Sequence, residues 1–269
     1  MIAAAIRNQW NRLLRYWLRS SKKKTIKIRR RGVVWELEPL SCITEDIACH
    51  GTFEPVTTQR VLELLRPGMT VIDVGANVGY FSVLMGKAVM PGGRVIAFEP
   101  TKHFRSLCER NICRNAVSVV ELRAEALSDE KGETEIAIGS ASATLHWPSV
   151  SPLPRMNEVI KTSRLDDLFD ELRLTALDFV KVDIDGHEPA FLRGAERTLR
   201  TYRPVLVIEF AQHCLYEAAS SALELRAQLA ELGYELVSEK TMKPYRSELE
   251  FLMECGNYAF SANAFAIPK

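Results

Sequence analysis

Cysteine is scarce in this chain of 269 residues, and no two of its cysteines form a C-x-x-C pair. A zinc site or a redox motif usually requires such closely spaced pairs. The sequence therefore favours reduced cysteines that pack inside a cytosolic protein rather than a disulfide framework. The six cysteines are Cys42, Cys49, Cys108, Cys113, Cys214 and Cys255.

Long apolar runs are also absent. No stretch approaches the roughly eighteen uninterrupted apolar residues that a membrane-spanning helix needs. Arginines interrupt the apolar stretch near the N-terminus, so we do not expect a secretory signal there. With 47% hydrophobic residues the chain can bury one substantial core, and we expect a cytoplasmic protein.

Acidic residues are missing from residues 1–31, which contain eleven Lys and Arg residues. Without these eleven, the chain has 24 basic residues against 34 acidic ones. Apolar residues recur in this segment at three- and four-residue intervals, from Ile2 and Ile6 to Trp17 and Leu18, which predicts a basic amphipathic helix.

Residues 1–31 suit an anionic membrane surface, which would make the protein peripherally membrane-associated. The same segment is equally suited to covering the active-site cleft or to packing on a second subunit in an oligomer. No nucleic-acid partner is expected, because no aromatic residues interleave with the basic run at residues 22–31.

Strand and helix patterns alternate from residue 70 onward, which predicts a parallel α/β sheet with helices on both faces. A short hairpin is expected around Arg31-Gly32, and helices are expected over 188–200 and 216–231.

Residues 140–157 are small, polar and rich in proline, which predicts a long excursion over the surface. We expect an extension over 1–48 and one catalytic domain over 49–269.

A strand, a glycine-punctuated turn and a helix start follow one another at residues 70–82. Gly75, Asn77 and Gly79 form G-x-N-x-G, which lacks the third glycine of the G-x-G-x-x-G motif that seats a dinucleotide. Asp73, just before the turn, would repel a pyrophosphate but suits the ammonium of an amino acid. Glu99 ends the next strand and is placed to accept hydrogen bonds from a ribose. A ribose and a cationic amino acid together describe S-adenosylmethionine.

Acidic residues end four of the predicted strands, where ligands of open α/β sheets bind. They are Asp73, Glu99, Asp183 and Glu209. A methyl acceptor with a hydroxyl group must lose its proton, and a nearby carboxylate can accept it. Asp183 and Glu209, oriented by Lys181, are therefore the catalytic candidates.

Other readings of the segment at residues 181–188 stay open. His187 is a candidate general base, although a lone histidine at a turn is more often a hydrogen-bonded surface residue. Asp183, Asp185 and Glu209 could instead hold a magnesium ion that acidifies the hydroxyl. We favour the direct acid–base arrangement and expect no metal.

Six ordered motifs over about residues 50–210 resemble the FkbM family of S-adenosylmethionine-dependent methyltransferases. In chain order the six motifs are Gly51-Thr-Phe-Glu54-Pro, Asp73-Val-Gly-Ala-Asn-Val-Gly79, Phe98-Glu99-Pro100, Ala126-Leu-Ser-Asp129, Lys181-Val-Asp-Ile-Asp-Gly-His-Glu188 and Pro204-Val-Leu-Val-Ile-Glu209. The family often has Val-Glu-Gly where this chain has Ile184-Asp185-Gly186.

The resemblance implies a Rossmann-like class I methyltransferase fold, with a mostly parallel seven-stranded sheet and a reversed final hairpin. It implies donor contacts from Asp73, Gly75, Asn77, Gly79 and Glu99. Adenine would then lie near Glu125 and Ala126, and Glu54 would help to shape the donor pocket.

These observations predict an O-methyltransferase that acts on a hydroxyl of a glycan, glycolipid or secondary metabolite. One alternative is a module that binds the donor or a partner but has lost catalysis. An NAD-dependent oxidoreductase is disfavoured by the missing third glycine and by the lack of a Tyr-x-x-x-Lys dyad near the switch point. An RNA methyltransferase acting on nitrogen commonly has an Asn/Asp-Pro-Pro-aromatic tetrad, where this chain has Asp183-Ile-Asp-Gly.

Overall fold

The computed structural model describes residues 2–139, 143–145 and 156–269, with side chains from residue 9 onward. The helices of this part of the chain are α1 (Ile2–Ser20), α2 (Cys42–His50), α3 (Pro55–Leu64), α4 (Tyr80–Val89), α5 (Lys102–Arg114), α6 (Leu165–Leu172), α7 (Glu188–Gly194), α8 (Glu196–Tyr202), α9 (Gln212–Glu217), α10 (Ala222–Glu231) and α11 (Glu248–Cys255).

The strands are β1 (Ile26–Arg30), β2 (Val33–Leu37), β3 (Thr70–Val74), β4 (Arg94–Phe98), β5 (Val120–Arg123), β6 (Glu125–Leu127), β7 (Gly132–Ile138), β8 (Ala143–Thr144), β9 (Met156–Ser163), β10 (Phe179–Val182), β11 (Val205–Phe210), β12 (Tyr234–Ser238) and β13 (Ala262–Pro268). None of the helices described combines the length and the apolar content that crossing a membrane would take.

A seven-stranded sheet in the order β12-β13-β11-β10-β3-β4-β5 forms the centre of the molecule. Neighbouring strands from β11 to β5 are parallel, while β13 is antiparallel to both β11 and β12. The predicted mostly parallel sheet with a reversed final hairpin is therefore confirmed. The strand order changes direction at β3 and β10, which leaves a crevice at the carboxyl ends of these two strands.

Two apolar layers cover the faces of this sheet. Ile72 belongs to the layer that contains α6, α7, α8, α10 and α11, whereas its neighbour Val71 belongs to the layer that contains α3, α4 and α5. Successive strand residues point to opposite faces, so the continuous apolar runs of the inner strands fill both layers. The predicted helices on both faces are confirmed.

The predicted hairpin is present as β1 and β2, which pair in antiparallel register from Ile26 opposite Leu37. It packs into the same apolar layer as α4 and α5. Trp35 stacks on Tyr80 with ring centroids 5.1 Å apart, and Asn111 Oδ1 accepts a hydrogen bond from the Glu36 N–H at 2.6 Å. The expected boundary between residues 48 and 49 falls inside the continuous helix α2.

Two segments that were each predicted as one helix contain two helices in the structure. The segment 188–200 contains α7 and α8, which meet at Ala195. The segment 216–231 contains the end of α9 and all of α10, separated by a turn with Ala219 at φ 53°. Ser221 then caps α10 by accepting a hydrogen bond from the Glu224 N–H, which starts a new helix.

A second sheet of four strands, in the order β6-β9-β7-β8, was not predicted. The surface excursion expected over 140–157 lies mostly outside the described residues, which omit 140–142 and 146–155. Within that range, Ala143–Thr144 form β8 and Met156 begins β9, so its described parts belong to this second sheet.

Candidate active site

The turn after β3 depends on two glycines with positive φ. Gly75 has φ +82°, and a Cβ there would lie 2.0 Å from the carbonyl oxygen of Asp183. Gly79 has φ +81°, and its Cβ would lie 2.7 Å from the Cys108 sulfur. No side chain fits at either position without movement of its neighbours. The turn is thus held directly against the segment that follows β10.

Glu99 follows β4 and fastens this turn from the other side. Its Oε2 accepts a hydrogen bond from the Asn77 N–H at 2.9 Å, and its Oε1 accepts bonds from the Thr101 N–H at 2.9 Å and hydroxyl at 2.6 Å. Burial raises the pKa of this carboxyl group, although these hydrogen bonds act in the opposite direction. Oε1 accepts two of these bonds and Oε2 only one, so Oε2 retains acceptor capacity for the predicted ribose contact.

Asp73 lies behind the wall of the cleft rather than on it. Its side chain is 1% exposed, and the Ser82 hydroxyl donates to its Oδ2 at 2.5 Å. Burial raises its pKa, which the nearby Lys181 ammonium partly offsets. Asp73 and Gly79 are absent from the residues that line the cleft. The direct donor contacts expected of these two residues therefore stay predictions, and the structure shows them supporting the turn.

The cleft itself has a volume of about 390 Å³ and lies at the carboxyl ends of β3, β4, β10 and β11. It brings together the other residues that the sequence singled out, although they are far apart along the chain. These lining residues are Glu54, Gly75, Asn77, Glu99, Glu125, Ala126, Lys181, Asp183 and Glu209.

Acidic side chains outnumber basic ones in the described lining of the cleft. Six of the lining residues are carboxylic acids, namely Glu54, Glu99, Glu125, Asp183, Asp185 and Glu209, against one lysine. Low-dielectric walls lined by one sign of charge attract ligands of the opposite sign. The cleft is therefore suited to a cationic ligand and poorly suited to a pyrophosphate.

Lys181 and Asp183 form a buried ion pair at one end of the cleft. Lys181 is 3% exposed, and its Nζ lies 2.7 Å from Asp183 Oδ2 and 4.8 Å from the centre of the Phe81 ring. Burial alone would lower the pKa of Lys181, but the carboxylates of Asp183, Asp73 and Glu54 outweigh it and raise that pKa. The charged ammonium thus holds the Asp183 carboxylate in one orientation.

Glu54 joins this end of the cleft from the N-terminal side. It has φ 42° at the start of α3, an uncommon conformation for a residue other than glycine, and its Oε2 accepts a hydrogen bond from Asn263 Nδ2 at 3.1 Å. Burial and the charge of Asp183 raise its pKa to about 7. Glu54 was expected to shape the donor pocket, and the structure places it within the electrostatic influence of the candidate catalytic acid.

Glu209, near the end of β11, is 8% exposed and lines the same cleft. Its Oε2 is buried without a hydrogen-bond partner among the described residues. Burial raises its pKa, and the neighbouring charges of Asp183, Asp185 and Glu188 raise it further. A buried polar atom of this kind is costly unless a ligand or water bonds to it.

The turn between β10 and α7 completes this wall. Gly186 has φ +95°, and a Cβ there would meet the Cys214 backbone at 2.6 Å, so this position requires glycine. His187 lines the cleft, with its Nε2 2.9 Å from the Ser128 hydroxyl. Among the described residues, no three His, Cys, Asp or Glu side chains are arranged to hold a metal ion.

Several lining residues were missed by sequence reasoning. Leu127, Ile136 and Leu145 reach the cleft from the second sheet and its flanks, whereas Ile43 and Phe53 come from the N-terminal side. Phe53 and Leu127 lie inside two of the family motifs, whereas Ile43, Ile136 and Leu145 belong to none, so only their position in the folded chain assigns these three to the site. The motif Gly51-Thr-Phe-Glu54-Pro was the signal that the region before β3 contributes to the cleft.

The strand order with its reversed β13, together with an acidic cleft at the switch point, is the arrangement expected of the class I S-adenosylmethionine-dependent methyltransferase fold. The model of the methyltransferase FkbM domain family matches residues 73–236, more than half of the chain. The chain belongs to this family, as the motifs predicted.

Individual relatives match shorter parts of the chain. The protein-L-isoaspartate O-methyltransferase of Aeropyrum pernix is 31% identical over 130 residues, which cover 47% of this chain and 42% of that protein. The 31-O-demethyl-FK506 methyltransferase FkbM of Streptomyces tacrolimicus is 29% identical over 161 residues, covering 49% and 61%. Matched segments thus span roughly half the length of these relatives. A solved methyltransferase FkbM from Methylobacillus flagellatus KT aligns with a TM-score of 0.49 at 14% identity, covering 83% of this chain and 52% of that one.

S-adenosylmethionine is the cofactor, and the residues of the cleft fit it. The molecule has a positive sulfonium and an ammonium group, which match the excess of carboxylates in the lining. Glu99 lies at the end of the second strand of the parallel unit, the position at which an acid binds a ribose in sheets of this kind.

Proposed function

We propose that this methyltransferase acts on a hydroxyl group of a glycan, a glycolipid or a secondary metabolite. The observation that carries the proposal is the Lys181–Asp183 ion pair at 2.7 Å beside Glu209, whose Oε2 is buried and has no hydrogen-bond partner among the described residues. A hydroxyl acceptor needs a base and a hydrogen-bonding group at its oxygen, and this arrangement contains two carboxylates for these roles.

S-adenosylmethionine supplies, when bound, a methyl group on a positively charged sulfur. The acidic lining binds this cation, and the turn at residues 75–79 allows close approach to the backbone. Asp183, held by Lys181, accepts the proton of the acceptor hydroxyl, while Glu209 hydrogen-bonds to the acceptor and orients it. Besides burial, the charge of Asp183 raises the pKa of Glu54, so Glu54 contributes to the same acid–base system.

The names of relatives support oxygen as the target. The Aeropyrum pernix relative is called an O-methyltransferase, and the Streptomyces tacrolimicus relative is named for a 31-O-demethyl substrate. A further relative in Thermotoga maritima is called a ribosomal protein L11 methyltransferase, so protein acceptors belong in the assay panel as well.

The test is a change of Asp183 to Asn. Donor binding should be retained, because the other five lining carboxylates and the 75–79 turn are unchanged, whereas transfer to hydroxyl acceptors should fall by roughly 10²–10⁴-fold. Calorimetry with S-adenosylmethionine measures binding, and transfer of labelled methyl groups to sugars, glycolipids and polyketides measures turnover.

The matched control is Asp167→Asn, which removes an exposed carboxylate on α6 and should change neither quantity. Full activity of the Asp183→Asn variant on an identified hydroxyl acceptor would refute the catalytic assignment. Donor binding without transfer to any acceptor by the unmodified protein would favour a module that binds the donor without catalysis.

A further inference from the structure

Helix α1 presents a row of large apolar side chains to the outside. Trp10 is 68% exposed, Leu13 57% and Trp17 49%. Residues separated by three and four positions lie on one side of a helix, so these three side chains form a continuous surface, here called the outer face of α1. Exposed apolar surface of this kind marks an interaction site more often than isolated apolar residues do.

The neighbouring side of the same helix is anchored to the body of the protein. Leu18 is 2% exposed and packs with Ile26 and Ala48, and Arg15 pairs with Glu45 at 2.8 Å. The position of α1 is therefore set by contacts with β1 and α2. None of the described residues covers its outer face, although the helix is docked.

A groove of about 790 Å³ runs beside the outer face, between α1 and the end of α2. Trp10, Leu13 and Trp17 line it together with Arg30, whose guanidinium donates to the Ala48 carbonyl at 3.0 Å. Apolar side chains and a fixed guanidinium thus lie next to each other at the surface.

The segment that contains α1 and β1 has basic residues and no acidic ones. Residues 1–31 contain no Asp or Glu. The basic residues with exposed side chains in the described part of this segment are Arg12, Arg19, Lys22, Lys23, Lys24, Lys27, Arg29, Arg30 and Arg31. Arg19 is the one of these nine with an acidic side chain within ion-pair distance, Glu45 at 3.8 Å.

We propose that α1 and the basic segment 22–31 dock the protein on a membrane surface that contains anionic lipids. The outer face enters the boundary between headgroups and acyl chains, where tryptophan is favoured, and the lysines and arginines attract the negative surface. Contact with a second copy through this face would bring two groups of nine cationic side chains together. A nucleic acid would satisfy the charges but would leave the outer face exposed to water.

Docking in this way connects the membrane with the cleft through one element. Helix α2 contacts α1 near Ala48, and its first residues, Cys42 and Ile43, line the cleft. The inference holds whichever acceptor is methylated, because it rests on α1 and the segment after it.

The experiment is co-sedimentation of the full chain with phosphatidylcholine vesicles, with and without phosphatidylserine. Binding should require phosphatidylserine and should weaken as salt is added. Changing Lys22, Lys23 and Lys24 together to Glu should lower the partition coefficient by about a hundredfold or more, given the attraction per basic residue. Changing Trp10 and Leu13 together to Ala should lower it by roughly tenfold.

Two control variants match these changes elsewhere on the surface. Leu249→Ala with Met253→Ala alters two apolar residues of α11 that are 68% and 75% exposed. Lys87→Glu, Lys131→Glu and Lys243→Glu together reverse three exposed charges. Both should bind vesicles like the unmodified chain, and calorimetric binding of S-adenosylmethionine should be equal in all variants. The proposal is overturned if vesicles are not bound, if the α1 variants bind as well as the controls, or if the outer face instead mediates a dimer or binds an oligonucleotide.

Discussion

Glu188 illustrates at the scale of one residue how burial controls protonation around the cleft. It is fully buried at the start of α7, and its Oε1 accepts a hydrogen bond from the Ile184 N–H at 3.0 Å. Its Oε2 has no hydrogen-bond partner among the described residues. Burial raises its pKa to about 8, and the charges of Asp185 and Asp183 add to this effect.

The raised pKa of Glu188 predicts that the protein loses stability as the pH increases from about 5 to 8. In this range the unfolded chain has released the proton, because the ordinary pKa is 4.5, while the folded chain retains it. The free energy of unfolding therefore falls with pH, by an amount on the order of a few kcal/mol for this group. Urea unfolding at several pH values measures the change.

Glu188→Gln should reduce that pH dependence by the contribution of Glu188, since Gln can accept the same hydrogen bond and does not titrate. Glu217→Gln, at an exposed position on α9, should leave the dependence as it is. If the Glu188→Gln variant kept the full loss of stability between pH 5 and 8, another buried carboxyl group would be its source.

At the scale of the element, the turn between β3 and α4 is held in place by close backbone contact. Gly75 combines a φ of +82° with a hypothetical Cβ only 2.0 Å from the Asp183 carbonyl oxygen. Gly32, in the turn of the β1–β2 hairpin, has a φ of +76° but nothing within 4 Å. Both glycines have a positive φ, but only Gly75 is in close contact with another segment. Substitutions at the two positions therefore separate the effect of backbone conformation from the effect of close contact.

Gly75→Ala should therefore abolish donor binding and destabilise the fold by roughly 3 kcal/mol or more, because the Asp183 segment has to move. Gly32→Ala should cost about 1 kcal/mol, from the unfavourable φ alone, and should bind the donor normally. Urea unfolding and calorimetry with S-adenosylmethionine measure both effects. Equal losses in the two variants would show that the contact with Asp183 has no role of its own.

At the scale of the whole molecule, the cleft is assembled from segments that are distant in sequence. Cys42 and Phe53 come from the N-terminal side, Gly75 and Lys181 from the central strands, and Ser261 from the segment before the last strand. A ligand that contacts these segments at once binds the folded state and not the unfolded chain, so it stabilises the whole fold.

S-adenosylhomocysteine at about a hundred times its dissociation constant should stabilise the protein by roughly 2.7 kcal/mol, and NAD should have no effect. The acidic lining is the reason for the difference, since it favours an ammonium group and opposes a pyrophosphate. Thermal unfolding with each compound provides the measurement. Stabilisation by NAD to the same extent would contradict the assignment of the cleft.

How far the sequence predicted the molecule can be judged from particular residues. The turn at Gly75, Asn77 and Gly79 and the acid at Glu99 were identified because each depends on local geometry, a turn or the end of a strand. Asp73 was identified as well, but its position behind the cleft wall could not be predicted. Whether a strand-end carboxylate faces a cleft or the interior depends on the neighbouring helix, here on Ser82 of α4.

The sequence by itself determined the parallel sheet and the basic amphipathic helix, which follow from periodicity, and the family, which follows from short motifs. The reversed final hairpin was implied by the resemblance to that family. Only the tertiary structure decided that Glu54 interacts with Asp183, that Lys181 is buried in an ion pair, and that Trp10, Leu13 and Trp17 remain outside. The physical reason is that burial and charge interactions depend on which distant segments pack together. Local patterns along the chain contain no information about those distances.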